Sequence, residues 1–433
     1  MPGWFQGSNP ALQEPFLVVA TSLPTRPRKT NAVLGCGSEM VLRLPSRATK
    51  NGTGSGSHRP WGWRSGLEDW RMPAFGPALY WKTALPPVGL VVLVAAWGRD
   101  LPALATAVLA VILGAAVLAA VHHAEVVAHR VGEPLGSLVL AVAVTIIEVA
   151  LIVTLIASGG PETASLARDT VFAAVMITVN GILGLSLLVT AKRQGLAVFN
   201  AEGTGAALAT VATLATLCLV LPTLTTSEPG PEFSPTQLTF AAIASLALYA
   251  SFVVTQTVRH RDFFLPVQQG REGDEVHADP PTGRAALVSL GLLTVALVAV
   301  VGLAKVLSPS IEAGVEAVGF PASFVGVVIA LLVLLPETLA AVRAARRGLV
   351  QISLNLALGS AIASIGLTIP VIAVASIFID GPLILGLEPT QIALLALTVV
   401  VGVLTIVPGR ATRLQGSTHL VLFAAFLFLA ISP

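Results

Sequence analysis

Eleven apolar segments follow one another along the chain, and they limit its fold more than any other feature. Hydrophobic residues make up 55% of the sequence, charged residues only 11%, and the mean hydropathy is +0.84. A soluble domain carries about 25% charged residues. A helix needs about 20 apolar residues to cross a bilayer, whereas barrel strands alternate over about 10. The long apolar runs therefore predict an all-α polytopic membrane protein.

The loops between these segments carry positive charge in alternation. Clusters such as Lys192–Arg193 and Arg343–Arg347 fall in every second loop, while loops 221–236, 308–320 and 380–388 hold no Lys or Arg. The positive-inside rule then places the N-terminus in the cytoplasm and the C-terminus outside. The predicted transmembrane segments lie near residues 84–98, 101–127, 135–157, 168–190, 204–224, 235–258, 283–306, 321–343, 349–378, 386–407 and 417–431.

The first 82 residues have a different composition from the rest. They hold ten of the 25 Lys and Arg residues and five of the six Trp residues, without a sustained hydrophobic period. We interpret residues 1–82 as a disordered basic tail, or as a gene-model extension with Met72 as the natural start.

A short internal repeat relates two parts of the apolar region. The stretches "AEVVAHRVGEP" (124–134) and "IEAGVEAVGFP" (311–321) share E-x-x-x-[H/E]-x-V-G-x-P, and each precedes a glutamate within an apolar helix, Glu148 and Glu337. Because five predicted helices separate the copies, the two copies have opposite orientations, as in many secondary transporters. The predicted order is an extra first helix (83–100), a first repeat (101–258), a cytoplasmic acidic linker (259–282) and a second, inverted repeat (283–433).

The two embedded glutamates are the candidate binding residues. An ionised carboxylate at the bilayer centre costs about 2.5–3.5 kcal/mol, so it is retained when it is neutral, paired or next to water. Two carboxylates brought together favour a cation or protons, and hard ions such as Ca²⁺ take about 6–8 oxygen ligands. We therefore predict that Glu148 and Glu337 bind Ca²⁺ or protons in turn. Further oxygen ligands are expected among Thr145, Thr178, Asn180, Asn355, Ser360 and Ser364.

Three stretches carry a resemblance to a known family. "EVVAHRVGEPLGSLVLAVAVTIIEVALI", "ARDTVFAAVMITVNGILGL" and "PETLAAVRAARRGLVQISLNLALGSAIASIGLTIP" resemble the ChaA-type calcium/proton antiporters of the Ca²⁺:cation antiporter superfamily, over residues 84–433. The resemblance implies eleven helices with two inverted five-helix repeats, alternating access, and cation binding by the acidic residue of each repeat, here Glu148 and Glu337. The sequence departs from the G-N-x-x-E pattern of the wider superfamily, since Val144 and Thr145, and Val333 and Leu334, replace Gly-Asn.

Acidic residues at the helix ends are candidates for gating or proton access. The resemblance implies such a role for Glu125 and Glu312, and the repeat adds Glu316, which matches His129. Glu125 and His129 lie four residues apart on one helix face, where they could pair and titrate near neutral pH.

Other functions remained open from the sequence. A Na⁺(K⁺)/H⁺ antiporter would use the same glutamates, and a cation channel would show no proton coupling. No cofactor motif, Walker-A loop or H-E-x-x-H motif is present, which argues against an enzyme, and nothing indicates nucleic acid. The expected partners are the lipid bilayer of a bacterial inner membrane and small inorganic cations.

Overall fold

A computed structural model of the chain describes residues 77–99, 101–132, 135–156, 164–267, 281–378 and 381–432. These residues all belong to one compact unit, Met72–Pro433. Most of the predicted tail and the acidic stretch 271–280 lie outside the described residues. The first helix, α1 (Pro77–Ala96), begins inside the region predicted to be the tail.

The first half of the chain forms five rods after α1, three of them extended by π-helical turns. Their parts are α2 (Ala103–Val131), α3 (Leu135–Ile156), α4 (Leu166–Met176), a π turn (Ile177–Ile182), α5 (Leu183–Gln194), α6 (Ala201–Ala215), a π turn (Thr216–Val220), α7 (Leu221–Leu224), α8 (Pro235–Val254) and a π turn (Thr255–Arg259).

The second half also forms five rods, after a 3₁₀ turn at Arg261–Phe264. Their parts are α9 (Gly283–Ala317), α10 (Phe324–Val333), α11 (Leu335–Arg346), α12 (Val350–Ala375), α13 (Pro389–Ile406) and α14 (Arg413–Ile431). One strand from each half, β1 (Ala197–Val198) and β2 (Arg410–Ala411), forms a short antiparallel pair beside the ends of α5 and α13.

The helical rods agree with the predicted membrane architecture. Among the described residues, eight helices are long and apolar enough to cross a bilayer, and the bent pair α10–α11 makes a ninth. Two shorter apolar helices, Trp81–Ala96 and Val142–Ile156, occupy the positions of the first and third predicted segments. The chain is therefore an integral membrane protein of the expected all-α class.

Two predicted segments, 283–306 and 321–343, differ from the structure at a proline. The helix predicted to end at residue 306 continues through Pro309 as α9, because a membrane helix tolerates proline where neighbouring groups satisfy the freed backbone. The segment predicted as one span, 321–343, is broken at Leu334 and bends by 52°. Pro336 causes this break, since it has no N–H to donate to the carbonyl of Leu332.

Local sequence signals explain where several other helices begin and end. Capping boxes start α8 (Ser234 with Gln237), α13 (Glu388 with Gln391) and α14 (Thr412 with Gln415). Each box satisfies backbone N–H groups that have no partner within the helix. Glycines with positive φ follow α2 and α5, at Gly132 and Gly195, where residues with a Cβ would be strained.

The two halves pack against each other in a reciprocal way. Helix α2 lies against α9, which is the first rod of the other half. Helix α3 packs on α12, while the pair α10–α11 packs on α4 and the π turn after it. The second rod of each half thus contacts the third rod of the other half, as two inverted repeats require. The embedded glutamates lie on these second rods.

A close approach between α5 and α14 depends on two glycines. A Cβ on Gly416 would lie 2.7 Å from the backbone nitrogen of Leu188 and 2.9 Å from the carbonyl oxygen of Gly184. Small residues allow such approaches between membrane helices, where dispersion contacts replace the hydrophobic effect. This glycine contact fixes α14 against the third rod of the first half.

We expect Gly416→Ala to lower the stability of the folded protein. The added methyl meets backbone atoms that cannot rotate away, and such overpacking costs about 1–3 kcal/mol. The measurement is the apparent melting temperature of the detergent-solubilised protein. Gly291→Ala is the control, because a Cβ there meets no atom within 4 Å. Equal melting temperatures for the two variants would contradict the close contact.

Candidate cation site

Glu148 lies in the middle third of α3 and is buried, with 4% of its surface exposed. Its carboxylate accepts a hydrogen bond from the hydroxyl of Ser364 on α12, at 2.5 Å. Ser364 is itself 2% exposed. The bond joins the second rod of one repeat to the third rod of the other, so it forms only when the two halves are packed together.

Glu337 lies in the first turn of α11, directly after the break at Leu334. The carboxylate oxygen Oε2 is buried and has no hydrogen-bond partner among the described residues. A helix N-terminus favours negative charge because its first N–H groups are unpaired. The break therefore places a carboxylate at a half-helix end inside the apolar bundle, an arrangement that transporters use to contact ions.

Two carboxylates within one apolar bundle repel each other when both are ionised. A bound cation or bound protons remove this repulsion. The sequence prediction that Glu148 and Glu337 belong to one site is thus compatible with the structure, which brings their helices together through α12 and α2.

Two further predicted ligands lie on the same helices as the site, and a third lies in a π turn that packs on one of them. Thr145 is buried one turn before Glu148, and Ser360 is half-buried one turn before Ser364. Thr178 lies in the π turn that packs on α11, and its hydroxyl donates to the carbonyl of Ala174 at 2.7 Å. A donating hydroxyl still has lone pairs to offer a cation.

The two predicted asparagine ligands are engaged elsewhere. Asn180 is buried between α13 and α14, where its Nδ2 donates to Thr398 at 2.9 Å. Asn355 donates to the carbonyl of Phe264 at 2.6 Å. It precedes Ser364 by nine residues, which is about 13 Å along a helix. The structure does not bring Asn355 to Glu148.

Glu312 and Glu316 lie at one end of the bundle, on the last turns of α9. Both line a cavity of about 420 Å³, together with Asp169 and Ser165 at the start of α4. Both glutamates are exposed, and Glu312 accepts a hydrogen bond from the Ser308 hydroxyl at 2.7 Å. These acidic groups make the lining of the cavity negative.

Glu125 lies at the opposite end, near the end of α2. It pairs with His122, three residues earlier, with 3.8 Å between Nδ1 and Oε2. His122 in turn lies 3.3 Å from the ammonium group of Lys82 on α1. His129 is exposed and forms no ion pair with Glu125, so the pairing expected four residues apart is replaced by one three residues apart.

The structure also shows buried polar residues that the sequence reasoning missed. Arg168 is 6% exposed and donates from Nε to Asp169 at 2.8 Å, which explains an arginine on a side predicted to lack positive charge. His419 on α14 is 0% exposed. The test applied to Glu148, an ionisable residue within an apolar helix, would have found both Asp169 and His419.

The arrangement can bind a hard cation through oxygen atoms. Glu148, Glu337 and Ser364 supply carboxylate and hydroxyl oxygens, and the break at Pro336 frees the carbonyl of Leu332. Among the described residues, no group of three or more His, Cys, Asp or Glu side chains could hold a metal. A cation here would therefore need neutral oxygens beside the two carboxylates, as a transported ion does.

A comparison with known families identifies this architecture. The sequence profile described as "Sodium/calcium exchanger protein" matches residues 101–258 and 288–432, five rods in each half. The chain belongs to the sodium/calcium exchanger protein family. The exchanger family accounts for the paired halves and for the resemblance carried by the motifs around Glu148 and Glu337.

Individual members of the exchanger family match over most of the chain. The protein y4hA of Sinorhizobium fredii is 45% identical, and the match covers 82% of this chain and 96% of y4hA. The sodium-potassium/proton antiporter ChaA of Escherichia coli is 33% identical, with coverage of 79% and 93%. The solved structure of native YfkE superposes with a TM-score of 0.62 at 17% identity and covers 82% of this chain and 99% of YfkE.

We expect Ser364→Ala to weaken cation binding without abolishing transport. A hydrogen bond to a charged group contributes about 1.5–3 kcal/mol, which corresponds to about a 10- to 150-fold rise in KM. The measurement is the concentration dependence of cation-driven proton movement in membrane vesicles. Ser251→Ala, an exposed serine on α8, is the control. A normal KM in Ser364→Ala would remove this hydroxyl from the site.

Proposed function

We propose that the chain is a secondary transporter that exchanges Ca²⁺ for H⁺ by alternating access, with Glu148 and Glu337 as the exchanging groups. The observation that carries this proposal is the placement of two carboxylates on helices of the two halves, α3 and α11, that both pack on α12. One is buried under the Ser364 hydroxyl, and the other has an orphaned buried oxygen at a broken helix.

The free-energy cost of burying charge in hydrocarbon couples the movement of the cation to the movement of protons. With both carboxylates ionised and nothing bound, two like charges would be exposed to a low-dielectric interior. Binding a divalent cation neutralises them, and so does binding protons. The empty, charged site therefore does not cross between its two accessible states, while the cation-loaded and protonated sites do. This selective movement produces antiport without ATP.

The oxygen-only ligands favour Ca²⁺ as the exchanged cation. Carboxylates, a hydroxyl and a freed carbonyl are hard ligands at a flexible broken helix, which suits the irregular shell that Ca²⁺ accepts. YfkE, whose fold this chain shares, is described as a Ca²⁺/H⁺ antiporter.

A second candidate is exchange of Na⁺ or K⁺ for H⁺ at the same glutamates. It is favoured by the 33% identity to ChaA, which is named a sodium-potassium/proton antiporter. A monovalent ion would balance only one of the two charges, so a proton would have to remain with it.

The acidic residues at the two ends of the helix bundle have complementary roles in this mechanism. Glu312 and Glu316 line the cavity at the end of α9 and attract cations there. Glu125 lies near the end of α2, which contacts the helix of Glu337, and it passes protons or closes the path at that end. His129, one turn further along α2, is exposed and is a further candidate for proton access.

The alternating charges of the loops support one orientation. By the positive-inside rule, the Lys and Arg clusters favour an N-terminus and a loop after α8 in the cytoplasm, with the cavity at the end of α9 outside. The relatives from Sinorhizobium and Escherichia point to a bacterial inner membrane. Labelling of a cysteine introduced at Ser227, between α7 and α8, by an impermeant thiol reagent in intact cells tests this orientation.

We expect Glu148→Gln and Glu337→Gln each to abolish exchange. An amide cannot bind and release a proton, and it supplies less charge to a cation. The assay uses everted vesicles with an imposed pH gradient, to which Ca²⁺ is added. Glu202→Gln, an exposed glutamate at the start of α6, should behave like the parent protein. Normal exchange in either site variant would falsify the assignment of that glutamate.

We expect Ca²⁺ to dissipate the gradient at lower concentration than Na⁺ or K⁺. Because protons compete with the cation for the carboxylates, the KM for Ca²⁺ should rise as the pH falls, by about ten-fold per pH unit for each competing proton. Dissipation by Na⁺ or K⁺ alone would support the second candidate. Cation flux that leaves the proton gradient unchanged would indicate a channel.

A further inference from the structure

A second buried polar cluster lies behind the site, outside the glutamates and their hydroxyls. It consists of His419 on α14, Asn180 in the π turn, and Thr398 and Thr405 on α13. The exposed fractions of these four residues are 0%, 0%, 1% and 2%, so water does not satisfy their polar groups.

The hydrogen bonds in this cluster are mutually consistent. Asn180 donates from Nδ2 to the Thr398 hydroxyl at 2.9 Å, which leaves its Oδ1 facing Nδ1 of His419 at 3.0 Å. His419 therefore donates from Nδ1–H, and its Nε2 accepts from the Thr405 hydroxyl at 3.1 Å. A neutral imidazole makes both bonds, so the cluster needs no charge.

Glycine packing holds His419 in this position. A Cβ on Gly184 would lie 2.8 Å from the Cβ of His419, and the ring of Phe423, one turn further along α14, covers Gly181. Any larger residue at Gly184 would push α14 away from the π turn. The imidazole is thus placed against Asn180 by backbone contacts and not only by its hydrogen bonds.

Asn180 anchors the π turn, which lies beside the helices of the proposed cation site. It packs on α11, which carries Glu337, and on α12, which carries Ser364. Residues two apart in a helix point to opposite faces, so Thr178 lies on the face opposite Asn180. A widened turn of this kind is frequent at functional sites, and its irregular backbone needs side-chain support.

We infer that His419 is a positioning residue for cation binding: its bond to Asn180 holds the π turn, and with it Thr178, against the helix of Glu337. Groups that orient the ligands of a metal ion in this way commonly change affinity when they are removed. The inference rests on the proposed function, because it requires that Glu337 binds the cation.

Three substitutions at position 419 separate the two hydrogen bonds. His419→Asn keeps an amide group at the level of Nδ1, within reach of Asn180. His419→Gln carries its amide one bond further, at the level of Nε2, toward Thr405. His419→Leu removes both bonds, and Thr405→Val removes only the bond to α13.

The experiment measures KM and kcat for Ca²⁺, and in parallel for Na⁺, in everted vesicles normalised for the amount of folded transporter. We expect His419→Leu and His419→Gln to raise KM by about ten-fold with little change in kcat, while His419→Asn and Thr405→Val stay within about two-fold of the parent protein. If His419→Leu does not fold, the comparison of His419→Asn with His419→Gln decides.

Three results would overturn the inference. They are an unchanged KM in His419→Gln, an equal rise in His419→Asn and His419→Gln, and a rise in Thr405→Val that matches His419→Gln. Normal exchange in Glu337→Gln would instead disprove the proposed site. The two failures are distinguishable. If Glu337→Gln is inactive while His419→Gln has a normal KM, the proposed site stands and only the positioning role of His419 is disproved.

Discussion

One hydrogen bond, from the hydroxyl of Ser364 to the carboxylate of Glu148, joins the two halves of the chain within the apolar bundle. In hydrocarbon an ionised carboxylate is costly unless it is neutral, paired or next to water. The donor to Glu148, Ser364, comes from the other half of the chain. The surroundings of Glu148 and the association of the halves therefore depend on each other, and small residues that bring helices together contribute to both.

The two halves share one topology but differ locally where the site is built. The third rod of the first half is widened by a π turn at Ile177–Ile182, whereas α12 in the second half is a continuous α-helix. The second rod of the second half is broken at Leu334, whereas α3 is unbroken within its described length. Glu148 consequently meets a hydroxyl, and Glu337 meets a helix N-terminus. The surroundings of the two carboxylates are therefore not equivalent.

Arg168 and His419, which are buried outside the site, also have polar partners. Arg168 donates to Asp169 and to the carbonyl of Gly386, in the segment that precedes α13, and its remaining nitrogen lies 3.6 Å from Glu388. This arginine does not report orientation, because its charge is neutralised inside the protein. His419 is paired through both of its ring nitrogens. Each such group connects rods that are distant in sequence.

Hydropathy, charge alternation and the E-x-x-x-[H/E]-x-V-G-x-P repeat were enough to predict the membrane class and the paired halves, because the bilayer imposes a length and a polarity on every span. The assignment of the two glutamates to a cation site stays a prediction. These patterns were not enough to choose the ligands. Ser360, Ser364, Asn180 and Asn355 are polar residues on apolar helices and look alike in a linear pattern. Only the packing of α12 against α3 brings Ser364 to Glu148. Asn355 instead donates to the carbonyl of Phe264, and Asn180 bonds to His419. The sequence by itself determined that charge is buried, since hydrophobic period is a local property. The tertiary structure decided which hydrogen-bond partners the buried carboxylate and amides have, since those partners lie some 90 to 240 residues away along the chain.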